Sequence, residues 1–114
     1  MEIFVKELQT VAQELRQEAK QLTADRRQDE ADLTKIRANI YEVCATVGNV
    51  ACKMAKPEER EAFYLKKLEE LPQNWRMALE MAQAHGNTQR AAVEELKLEA
   101  LEDVLKRYHA RKEG

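Results

Sequence analysis

Residues 41–55, YEVCATVGNVACKMA, carry two interleaved helical stripes, and their reading decides the fold. Val43, Val47, Val50 and Met54 continue a series begun by Leu33, Ile36 and Ile40, with steps alternating between three and four residues. That is the seam of a helix packed on a partner helix. A second series, Tyr41, Cys44, Gly48, Ala51 and Ala55, has the same spacing but is built of small residues after its tyrosine, so another backbone can come close. A glycine within a helix costs about 1 kcal/mol relative to Ala, and close packing is the reason such a residue is kept. The helix is therefore expected to be buried on two sides, unless Gly48-Asn49 ends it early. The small stripe is the leading candidate interface, covered either by another helix of the same chain or by a second subunit.

The rest of the chain supports an all-α reading. Ala, Leu, Glu, Lys, Gln and Arg dominate, and only three glycines and two prolines interrupt them. The 44% apolar content, arranged with helical periodicity, is enough for a core despite 35% charged residues. A chain of 114 residues is the size of a single domain, 1–114, that buries roughly two thirds of its unfolded surface. The 19 basic and 21 acidic residues are interspersed and give no electrostatic reason to seek nucleic acid or an anionic membrane. No apolar run approaches the ~18 residues of a membrane span. The opening MEIFVKE has acidic residues where a signal peptide needs apolar ones, so a cytoplasmic protein is expected.

The pattern predicts a bundle of four to five helices at about 2–22, 26–55, 57–71, 73–85 and 88–111, with the second at the centre. Phe4, Leu8, Val11, Leu15 and Leu22 form the stripe of the first, with Ala12 and Ala19 beside it. Residues 23–30 are read as a turn, with Asp25 and Gln28 at capping-box spacing. The alternative is a continuous rod over 2–54, about 80 Å long at ~1.5 Å per residue, which requires a partner chain. Pro57 and Pro72 sit at helix starts, where their missing N–H costs nothing. Gly86 is the expected left-handed stop, followed by Asn87 or Thr88 as the next cap. Trp75, Ala78, Leu79 and Ala82 face inward on the fourth helix. The last helix carries Val93, Leu96, Ala100 and Val104 beside Leu98, Leu101, Leu105 and Tyr108. Lys106, Arg107, Arg111 and Lys112 suit its negative dipole end.

Constellations able to carry chemistry are sparse. Serine is absent. Cys44 and Cys52, eight residues apart on one helix, stand about 12 Å apart, beyond the ~7 Å reach of a disulfide. A thiol-dependent enzyme would need one of them near His85 or His109, yet mid-helix cysteines among Val, Ala and Gly behave as small hydrophobes. Zinc and di-iron spacings are missing, so no metal and no cofactor are expected. Single glycines cannot build a phosphate cradle. The acidic pairs Glu58-Glu59, Glu69-Glu70 and Glu94-Glu95 read as solvated faces with ion pairs one turn away. A helix-turn-helix around Gly86 would present Glu94, Glu95, Glu99, Glu102 and Asp103 to a phosphate backbone, which repels it. Trp75, the sole tryptophan, is a core plug or a partner anchor.

The segments Leu68-x-x-Leu71-Pro72-x-Asn74-Trp75, Ala82-x-x-His85-Gly86-Asn87 and Glu95-x-Lys97-Leu98-Glu99 resemble a family of small all-helical bacterial proteins of unknown function. Asp29-Glu30-Ala31 and Lys35-Ile36-Arg37-Ala38-Asn39-Ile40-Tyr41 are similar to it as well. The resemblance implies a helical domain of bacterial origin and carries no activity or binding residue. The expectation is a non-enzymatic protein-protein interaction or accessory module that binds a protein partner or itself as a homodimer. Its candidate interface is Tyr41, Cys44, Gly48, Ala51, Ala55 and Trp75. A nucleic-acid-binding regulator is the alternative, followed by a thiol enzyme.

Overall fold

The computed structural model describes residues 1–113, with side chains through Arg111, so that of Lys112 lies outside the described ones. The described residues form α1 (Glu2–Ala24), α2 (Gln28–Met54), α3 (Arg60–Glu70), α4 (Pro72–Ala84) and α5 (Thr88–Glu113), with a 3-10 turn at Pro57–Glu59 leading into α3. The all-α bundle is as expected, and the boundaries fall within two or three residues of the sequence reading.

The breaks follow from local chemistry. Pro57 opens the 3-10 turn. Pro72 separates α3 from α4 because its ring removes a donor and crowds the carbonyl of Leu68, although Leu71 keeps helical dihedrals. At the end of α4, Gly86 adopts φ 68°. The Gly86 and Asn87 amides reach back to the Gln83 and Ala82 carbonyls at 3.2 and 2.8 Å, the bonding of a Schellman stop. Asn87 then caps α5, its Oδ1 accepting the Arg90 amide at 3.1 Å.

The α1–α2 turn has the same architecture without a glycine. Arg26 holds φ 61°, and the Arg26 and Arg27 amides bond to the Thr23 and Leu22 carbonyls at 3.0 and 2.8 Å. The chain reverses here, so residues 2–54 are two helices and not a rod. The expected Asp25–Gln28 capping box is not formed. Asp25 is the last cap of α1 and accepts from Gln21, while Gln28 lies inside α2 and donates to Asp32 at 2.7 Å.

α1 and α2 pack as an antiparallel pair. Val5 lies against Gly48 at one end, and Arg16 makes a bidentate ion pair with Glu42 at 2.7 and 2.9 Å further along. In that register Ala12 and Ala19 stand level with Ala45 and Ala38. These four and Ala31 are all buried, so the two backbones meet across a seam of methyl groups. The heptad series Ala31, Ala38, Ala45 is thus the face of α2 that α1 covers.

The other covered face belongs to α3 and α5. α5 runs parallel to α2 after the α3–α4 crossover: Ile36 shares a groove with Val93, and Tyr41 donates a hydrogen bond to the Asp103 carboxylate further on. Phe4, Tyr64 and Tyr108 form a ring triangle with centroids 6.2, 5.2 and 5.6 Å apart, tying α1, α3 and α5 together. Tyr64 also donates its hydroxyl to the Cys44 carbonyl at 3.1 Å, so its ring lies on the backbone of α2. Arg107 and Arg111 of α5 pair with Glu7 of α1. Their charge clamps two helices, which is more than dipole compensation.

Candidate interaction surface

Of the two stripes of α2, both expected to be covered, the small one is and the bulky one largely is not. Tyr41, Cys44, Gly48 and Ala51 are buried in the chain's own core and Ala55 is half-buried. An added Cβ at Gly48 would stand 2.6 Å from Val5 Cγ2 and 3.6 Å from Tyr64 Cε1. The small stripe is closed by α1 and α3 from within, the first of the two coverings that its sequence left open. Of the six candidate residues, Trp75 lines a surface groove.

The bulky seam, expected to be buried, is largely open. Leu33, Val43, Val50 and Met54 are 36%, 39%, 37% and 76% exposed, Ile36 and Val47 are half-buried, and Ile40 is buried. The cause is geometric. α1 takes the alanine face and, with α3 and α5, the small stripe, so the third face is flanked only toward Ile36 and Ile40, where α4 and α5 come alongside.

At its N-terminal end the seam runs into a groove of about 560 Å³ between α2 and α5, lined by Leu33, Ile36, Ala92 and Val93 with Asp29 and Asp32 at its mouth. The groove continues along α5 to Ile40, Trp75 and Glu94. Glu94 is 1% exposed, and so does not belong to a solvated acidic face as the sequence reading had it. Its Oε1 accepts from Arg90 Nε at 3.0 Å and Lys97 Nζ at 3.4 Å, while Oε2 has no protein partner. Two cations from the adjacent turns offset the cost of burying that carboxylate. The signal was present in the sequence: Glu94 stands seven residues before Leu101, on the apolar stripe of α5.

Titrating groups on the covered side are held by packing. Burial pushes the Cys44 thiol up to about 12, so it stays protonated, the opposite of what a nucleophile needs. Burial, followed by the hydrogen bond to Asp103, also raises the Tyr41 hydroxyl. Burial alone would raise Asp103, but the hydrogen bonds from Tyr41 and Arg107 outweigh it and hold the carboxyl below its ordinary range. Cys52 is half-buried, and Arg60 donates to its carbonyl at 3.1 Å. His85 is exposed, its Nδ1 2.8 Å from the Met81 carbonyl of its own helix, and His109 lies edge-on to Tyr108. Among the described residues no group of three or more His, Cys, Asp or Glu is placed to hold a metal ion, and no helix is long and apolar enough to cross a membrane.

No protein-family model matches the chain, and no curated protein or solved structure matches it either, so no characterised family is assigned.

Proposed function

We propose that the protein is a non-enzymatic interaction module of the cytoplasm that receives a protein partner on the open face of α2. The observation that carries this reading is the seven-residue heptad seam from Leu33 to Met54, four of whose large apolar side chains are exposed in one line. Scattered apolar residues on a surface need no explanation, but four on one helix face at helix-pairing spacing mark a surface that a second helix covers. The half-buried Trp75 beside the groove adds an anchor of the kind partners use. Two unpaired cysteines, one of them buried, fit a reducing compartment.

The test is contact mapping in the cell of origin. A photo-reactive amino acid at Val50 is compared with one at the exposed Lys20, outside the seam. Discrete adducts from position 50 that disappear when Val43→Glu is added support the reading. Adducts of equal yield from both positions, or adducts indifferent to Val43→Glu, overturn it.

A further inference from the structure

We infer that the occupant of the open face is a second copy of this chain, its α2 laid antiparallel across the first about a two-fold axis near Val43. The inference rests on the docking role given above to that face and names its partner. Three observations on α2 converge.

The first is the symmetry of the seam. Ile40 and Val47, Ile36 and Val50, and Leu33 and Met54 flank Val43 at three and four, seven and seven, and ten and eleven residues. Reversing the helix returns nearly the same series, so Val43 meets its own counterpart at the axis, Ile36 meets Val50, and Leu33 meets Met54. A two-fold interface has this self-complementary form.

The second is a knob and a hole at opposite ends. Met54 is the most exposed of the large apolar side chains in the described chain. Leu33, Ile36 and Val93 line the groove at the other end, about 31 Å away along the helix at ~1.5 Å per residue. An antiparallel copy seats each Met54 in the other's groove. A parallel copy would leave both knobs and both grooves unmatched.

The third is charge. The exposed Asp29 and Asp32 begin α2, and the exposed Lys53 and Lys56 stand at its end. Antiparallel pairing sets Asp29 and Asp32 of each copy toward Lys53 and Lys56 of the other, once on each side of the axis, and aligns the two helix dipoles favourably. Parallel pairing would set like charges together.

The experiment is the solution mass of the full chain, 13.2 kDa as a monomer, by sedimentation equilibrium at low salt. Two charge-reversed proteins accompany it, Lys53→Glu with Lys56→Glu and Asp29→Lys with Asp32→Lys. All four positions are exposed, and unchanged far-ultraviolet circular dichroism verifies folding. The expected result is a wild-type dimer, self-association weakened at least about tenfold in each reversed protein, and recovery as a heterodimer when the two are mixed. Wild type at monomer mass up to its solubility limit overturns the inference. So does a dimer indifferent to the reversals, or a mixture that fails to recover. A monomer whose Val50 adducts contain a different protein sinks self-pairing and leaves the docking role standing. A monomer without seam-dependent adducts sinks both.

Discussion

The α1–α2 hairpin and the α4–α5 hairpin bury α2 in different ways. In the first, alanines on both helices let the backbones approach, and the contact is sealed along the length of the pair. In the second, α5 meets α2 around the Tyr41–Asp103 hydrogen bond, while toward their N-terminal ends a groove lies between the two helices. Small side chains closed one side of α2, and large ones left the other open. Apolar bulk by itself does not put a face in the core. What decides is whether the neighbouring helices come near enough, and on α2 they do so at Ala31, Ala38, Ala45 and Gly48.

The sharpest way to break this contrast is to exchange the sizes of the two faces. Gly48→Leu drives its first carbon into Val5, a buried, β-branched side chain whose helical χ1 is restricted, and the rest toward the Tyr64 ring. Overpacking of this kind is expected to destabilise the protein by about 3 kcal/mol or more, after a gain of roughly 1 kcal/mol in helix propensity. Val50→Ala, two residues further along and on the open face, is expected to cost under about 1 kcal/mol in the monomer. Urea unfolding of both variants measures the difference. Comparable losses would mean that the two faces are equally packed.

Much of the fold was legible in sequence because its punctuation is local. Pro57, Pro72 and Gly86 act within one turn of themselves, and the helices they bound are where expected. The site was legible in part. The a/d spacing identified the bulky seam, but periodicity reports which residues share a face and not whether a neighbour covers it. The alanine heptad at 31, 38 and 45 was the clue that the covering helix takes another face, and it is easily passed over because Ala is also the strongest helix former. The turn at residues 25–27 was placed correctly while its chemistry was not, since Arg26 at positive φ leaves no signature in sequence. Glu94 was missed because a carboxylate beside another carboxylate ordinarily points to water.

A second prediction probes the polar fastening of the covered side. Asp103 accepts from Tyr41 on α2 and from Arg107 Nε at 2.8 Å, and its folded pKa lies below the ordinary value. Its contribution to stability is therefore fully present above about pH 4, the unfolded carboxyl's range, and is lost as pH falls through the lower folded value. Asp103→Asn is expected to cost about 1–2 kcal/mol at pH 7, with the gap from wild type closing in acid as the native carboxylate protonates. Thermal unfolding across that pH range tests the sign. A gap that stays constant into acid would show that shape rather than charge makes the contact.

The smallest effects compare the turns that join the two hairpins. Both stops have the same backbone bonds, yet one holds Gly86 and the other Arg26 at nearly the same positive φ. A side chain there costs about 1 kcal/mol or slightly more, and exchanging it for glycine also loosens the unfolded chain by roughly half as much. Arg26→Gly is thus expected to stabilise by about 0.5 kcal/mol. Gly86→Ala is expected to destabilise by a similar amount, through φ alone, because nothing lies within 4 Å of the added carbon. Melting temperatures of opposite shift would support a common strain at both stops. The closed hairpin then carries the strained turn because its alanine seam fixes where α1 must lie. A neutral or destabilising Arg26→Gly would instead mean that the arginine itself contributes to holding that turn.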